Sequence, residues 1–132
     1  MKNGSPLFFG IILSLVLGSI SCELSAHPPK DLSLEYDVAS RILKVAVLHQ
    51  VRDASKHYID DVEVFLGKKK MISQKFGRQK DLNGQEALYF IIDALPGTEI
   101  AVAADCNLGG TLKKSLVVSE DEKENRPAVQ TP

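Results

Sequence analysis

Two side-chain types in this sequence make good ligands for a transition metal, and both are scarce: there are three histidines, His27, His49 and His57, and two cysteines, Cys22 and Cys106. Imidazole nitrogen combined with thiolate sulfur suits zinc, copper or iron. Each histidine lies at the end of a patterned segment. Cys106 sits in "AADCNLGG", where an apolar strand runs straight into a turn. Taken singly, such residues have ordinary explanations, since free cysteine is among the most buried residue types and a strand-end histidine usually hydrogen-bonds at the surface. The question is whether the chain brings them together.

The positioning elements are legible from period two. Leu32, Leu34 and Tyr36 alternate with other residues; so do Leu43, Val45 and Val47, and Val62, Val64 and Leu66. Further apolar runs follow at Met71–Phe76, Leu88–Ile92, Ile100–Ala104 and Leu112–Val118. Turn-forming residues fill the gaps at Asp37–Arg41, Asp53–Lys56, Gly67-Lys68, Asp81–Gly84, Leu95-Pro96-Gly97 and Gly109-Gly110. No window repeats its apolar residues at three and four, so the fold class is all-β. Seven short strands in about 90 residues predict an immunoglobulin-like antiparallel β-sandwich. The chain has no Trp for the core and no second cysteine in the domain to bridge the sheets, so an antibody-type domain is excluded.

Strand parity then places the donors. His49 continues the Leu43, Val45, Val47 face, and Cys106 continues the Ile100, Val102, Ala104 face, so both leave their strands inward at an end of the sandwich. His57 follows His49 by eight residues across a reversing loop. It shares parity with Ile59 but not with Val62, Val64 and Leu66, which calls for an irregularity near Asp60-Asp61.

Composition limits the partners. There are 16 basic and 17 acidic residues, a net charge of −1, which gives no broad basic field for nucleic acid. The cluster Lys68, Lys69 and Lys70 directly after Gly67 reads as a solvated hairpin turn. Residues 1–26 have the plan of an export signal: Lys2, then an uncharged apolar stretch from Leu7 to Ile20, then small residues at Ser19, Ser21, Ser25 and Ala26. The stretch is shorter than the roughly 20 residues of a membrane-spanning helix, so no membrane span is expected. Cleavage after Ala26 leaves His27 as the first residue. Ser19-Ile20-Ser21-Cys22 alternatively resembles a bacterial lipobox and would leave a lipid anchor on Cys22. Both routes lead to the periplasm or the outer face of a membrane, where an unpaired Cys106 wants an explanation such as a metal. The segment from Ser119, "SEDEKENRPAVQTP", has too little apolar surface to order itself and is expected to be a disordered tail over 119–132.

The segments "VAVLHQVRDASKHYIDDVEVFL" and "AADCNLGG" together resemble the iron-binding domain of the superoxide reductase family, the desulfoferrodoxin and neelaredoxin group. In that family a strand ends in histidine, commonly followed by proline, a loop leads to Lys-His-Tyr-Ile, and Cys-Asn-Ile-His-Gly comes late in the domain. Lys56-His57-Tyr58-Ile59 and Cys106-Asn107 match these closely. The resemblance covers about Ser33 to Val118 and implies the same seven-stranded immunoglobulin-like fold. It further implies a mononuclear non-haem iron, Fe2+/Fe3+, held by equatorial histidine nitrogens and an axial cysteine sulfur, with a sixth position open.

Carried onto this sequence, His49 and His57 match equatorial ligands and Cys106 the axial one. His27 stands for the N-terminal ligand, without the Glu-Lys that precedes it in the family. Gly109 occupies the place of the family's final histidine, Gln50 that of its common proline, and the loop from His49 to His57 is longer. The implied activity is one-electron reduction of superoxide to hydrogen peroxide, fed by an external electron donor, with Lys56 and Lys30 attracting the anionic substrate. If the chain begins at His27, its α-amine can replace the nitrogen missing at Gly109. Two other readings stay open: a non-catalytic iron- or copper-binding module, and a plain exported interaction domain.

Overall fold

The computed structural model describes residues 27–120. The expected leader, including Cys22, and the tail from 121 onward lie outside the described residues. Among the described residues seven strands form: β1 (Asp31–Asp37), β2 (Ile42–Leu48), β3 (Ile59–Leu66), β4 (Lys69–Lys75), β5 (Gly84–Phe90), β6 (Glu99–Cys106) and β7 (Thr111–Val117). They make two antiparallel sheets, β1-β2-β5 and β4-β3-β6-β7. The protein is therefore an all-β, immunoglobulin-like sandwich, as the alternating pattern requires.

The core is the inward half of each alternation. Leu32, Leu43 and Val45 from one sheet meet Val62, Val64, Ile100 and Val102 from the other, all with no exposed surface. Full burial of each such side chain is worth about 1.5–3 kcal/mol. Tyr36 adds a polar lock, its hydroxyl donating to the carbonyl oxygen of Ile91 at 2.8 Å and so fixing the crossover that leads from β5 to β6.

Two element boundaries differ from the sequence pattern. The run Leu88–Ile92 suggests a strand that starts late, whereas β5 begins at Gly84 and stops at Phe90. Its inward residues are Gln85, Ala87 and Tyr89, and Leu88 and Phe90 face outward, so the first half of the strand lacks an apolar signature. Gly84 itself pairs with Leu48 where a Cβ would stand 2.0 Å from the Val47 carbonyl oxygen, a backbone approach only glycine permits. The second difference is the lysine cluster. Only Gly67 and Lys68 form the turn, Gly67 with φ 57°, while Lys69 and Lys70 already belong to β4. They remain exposed on an edge strand, where lysine discourages pairing with another chain.

One irregularity decides where the site lies. Ile59 pairs with Cys106, and Asp61 pairs with Asp105, so Asp60 is an extra residue on β3. This bulge lets Ile59 and Val62 both face inward although they are three residues apart. Inward parity thereby extends back from Ile59 to His57.

Candidate metal centre

The start of β1, the end of β2, the start of β3 and the end of β6 all fall at one pole of the sandwich, and the three histidines converge there. The His49 and His57 ring centroids lie 4.7 Å apart, His27 and His57 4.8 Å, and His27 and His49 5.0 Å. One donor atom from each lies within 4.8 Å of the others. Two nitrogens on opposite sides of one cation, each bonded at about 2.1 Å, stand about 4.2 Å apart, so the cluster is near the size a single ion requires. On its inner side His57 Nε2 is 3.1 Å from Cys106 Sγ. Donors at about 2.1 and 2.3 Å from one cation, at a right angle, stand about 3.1 Å apart.

Each donor is held by its own device. His49, with no exposed surface, is inward at the end of β2, and its backbone N–H donates to Asn83 O at 2.8 Å. Its Nδ1 is 2.8 Å from Oε1 of the buried Gln79. Its Nε2 is buried and has no partner among the described residues. A buried nitrogen without a partner is costly unless something binds it, and this orphaned atom beside two further imidazoles and a thiol fits a cation.

His57 is carried by a loop that Asp53 builds. The Asp53 carboxylate accepts the backbone N–H of Ser55 at 2.9 Å and its hydroxyl at 2.6 Å. These bonds hold the Asp53 carboxyl below its ordinary pKa, the Ser55 hydroxyl contributing most. The Asp53 carbonyl oxygen then accepts the N–H groups of Lys56 and His57 at 3.2 and 3.0 Å. Asn107 joins this loop to the cysteine turn: its Oδ1 accepts Tyr58 N–H at 2.9 Å and its Nδ2 donates to Lys56 O at 2.9 Å. One asparagine thus docks the His57 segment beside its neighbour Cys106. Burial, followed by the nearness of His49 and His27, pushes the His57 pKa below the usual imidazole value, which favours the neutral, ligating form.

His27 lies ahead of β1, half-buried, and glycine makes room for its segment. Gly110 has φ 100°, and a Cβ there would meet Pro28 Cα and N at 2.8 Å. Cys106 N–H donates to Gly110 O at 3.0 Å, and Gly109 N–H to Cys106 O at 2.9 Å, so the cysteine turn and the His27 segment form one packed unit. Cys106 is 5% exposed, which hides it from solvent but leaves its sulfur against His57. Gly109 adopts φ 110°, a conformation that disfavours any side chain.

His27, His49 and His57 are therefore brought together, with Cys106 against His57. Lys56 is not: its ammonium is 84% exposed and pairs with Asp53 at 3.8 Å, and its backbone carbonyl is what contacts Asn107. The spacing of the sequence does not point to Gln79, because it lies in the irregular segment between β4 and β5, thirty residues from His49. Asn107 is marked only as the neighbour of Cys106.

These features define a two-sheet immunoglobulin-type sandwich with an imidazole–thiol cluster at one pole. The same fold is found in the superoxide reductase (1Fe-SOR) from Giardia intestinalis, which superimposes with a TM-score of 0.51 at 15% sequence identity, covering 70% of this chain and 100% of that one. That likeness establishes a superoxide-reductase-like fold. No family model matches the sequence, and no curated protein matches it.

Proposed function

We propose that the protein is an iron-binding domain with superoxide reductase-type chemistry, its metal held by His27, His49, His57 and Cys106. The observation that carries the reading is the convergence of three imidazoles with one thiol, His57 Nε2 3.1 Å from Cys106 Sγ, at the pole of a sandwich whose fold is that of a superoxide reductase. At that separation the imidazole nitrogen and the sulfur are close enough to share one cation. What ferrous iron supplies when bound there is one electron to superoxide, which with two protons becomes hydrogen peroxide.

The chain's residues set the conditions for that chemistry. His49 and His57 offer imidazole nitrogens, and burial excludes competing water ligands from the inner side of the cluster. A thiolate at Cys106 donates electron density and favours electron release, as thiolate ligands do at haem iron. An external donor has to restore the reduced state, because the described residues hold no second cysteine. Export to the periplasm, with or without a lipid on Cys22, belongs to the same proposal; mass spectrometry of the mature chain distinguishes a start at Cys22 from one at His27.

A second reading rests on Gly109. With glycine at φ 110° where the family places a histidine, four donors stand in for five, which favours a metal-binding module without turnover. One experiment separates the readings. Protein purified without a histidine tag is analysed for metal, and its iron-loaded oxidised form is examined by absorption. The proposal expects a thiolate-to-ferric band that Cys106→Ala abolishes, and superoxide-dependent oxidation of the ferrous form yielding one peroxide per iron and no dioxygen. Iron binding without peroxide leaves the non-catalytic module; no metal uptake at all leaves an interaction domain.

A further inference from the structure

The bonding around Gln79 is one-directional. Its Nε2 amide donates both to His49 O at 2.8 Å and to Asp81 O at 2.9 Å. Both acceptors are carbonyl oxygens, so exchanging the amide's nitrogen and oxygen would set Oε1 against two lone-pair groups and lose both bonds. Oε1 must therefore be the atom 2.8 Å from His49 Nδ1, and an oxygen that only accepts requires Nδ1 to carry the proton. Neutral imidazole has one proton, so Nε2 keeps its lone pair. That Nε2 is buried with no partner among the described residues. Gln79 is itself without exposed surface and tethered by its N–H to Ala54 O at 2.9 Å, so it cannot swing away.

We propose that Gln79 is a positioning residue that locks His49 in the Nδ1–H tautomer and so presents the Nε2 lone pair to the metal before any metal arrives. The inference rests on the cluster being a metal centre. Preorganisation of this kind replaces the choice between two tautomers, and two ring orientations, by one. It also makes the loop between β4 and β5 part of the site, although that loop contributes no ligand. Gln79 grips the backbone of His49 through one bond and its ring through another, so ring and strand end move together. The neutral amide acceptor raises the basicity of the ring less than a carboxylate would.

The test reads the tautomer in the metal-free protein and the affinity separately. A two-bond 1H–15N spectrum of histidine-labelled apo protein is expected to show His49 protonated at Nδ1 and bare at Nε2. Gln79→Met, close in volume but unable to accept, is expected to mix or invert the tautomers and to weaken cobalt(II) binding, measured against a chelator, by about 10- to 100-fold. Gln79→Glu loses the same two donations to His49 O and Asp81 O but still accepts from Nδ1, so it is expected to keep the tautomer and to bind cobalt(II) more tightly than the Met variant. An Nε2–H tautomer in the wild type overturns the proposal, as does a Met variant with unchanged tautomer and affinity. Should the Met variant fail to fold, the wild-type spectrum and the Glu variant decide. A wild type that takes up no cobalt overturns the metal-centre reading, whereas normal uptake with a tautomer indifferent to position 79 overturns the role of Gln79 alone.

Discussion

The three imidazoles sit so close that their protonation states constrain one another. With ring centroids at most 5.0 Å apart, a proton added to one ring raises the cost of charging the next, and burial adds to this. Burial first, and then the nearness of His49 and His27, holds the His57 pKa below the ordinary imidazole value. The direction of the stability effect follows from proton counting. Between the ordinary and the lowered value, the unfolded chain binds a proton at position 57 that the folded chain refuses, so stability rises with pH through that interval and is lost as pH falls below about 6.5. The apo protein is expected to show a lower urea midpoint at pH 5 than at pH 7.5, with the difference reduced in His57→Gln. Equal slopes in the two proteins would mean that His57 is as easily protonated in the fold as outside it. Metal release should follow the same direction, because protons and cations compete for the same lone pairs.

Strands and turns determine whether those lone pairs meet. The period-two pattern was enough to send His49 and Cys106 inward, because each continues an apolar face of its own strand. The mismatch between the parity of His57 and that of Val62, Val64 and Leu66 marked the bulge at Asp60. What periodicity cannot carry is contact made by irregular backbone. The grip of Gln79 on His49, the clamp of Asn107 on the His57 loop and the seat that Gly110 offers Pro28 are tertiary contacts between loops, and no local spacing encodes them. The start of β5 escaped for a related reason, since Gln85 is buried by hydrogen bonding to Lys80 N–H at 2.8 Å and not by being apolar. Two substitutions test the loops without touching a donor. Asn107→Ala removes the two side-chain bonds to the His57 segment, leaving the Asn107 N–H donation to Tyr58 O at 3.0 Å, and is expected to cost about 1–3 kcal/mol; Gly110→Ala adds a Cβ against Pro28 at a strained φ for about 1–3 kcal/mol. Both are expected to lower metal affinity while circular dichroism keeps the all-β spectrum. Unchanged affinity in either would show that the corresponding loop does not position its histidine.

For the whole molecule, the pole divides into segments far apart in sequence. His27 precedes β1, His49 and His57 flank the β2–β3 connection across the two sheets, and Cys106 ends β6. On the proposed reading, an ion bonded to these donors would close the sandwich at the end where β1 and β7 are tied by the exposed Lys114–Asp31 pair at 3.6 Å, a contact worth at most about 1 kcal/mol. The unfolded chain cannot offer these donors together, so binding energy adds to folding energy. At a free metal concentration about 100 times the dissociation constant the gain is about 2.7 kcal/mol. For a domain of this size that corresponds to a rise in Tm of about 10–20 °C. Calorimetry of the apo protein with and without cobalt(II) is expected to show this rise, a chelator to reverse it, and His49→Ala to remove most of it. A rise that survives undiminished in His49→Ala would show that the ion does not bind His49 and would place it outside this cluster.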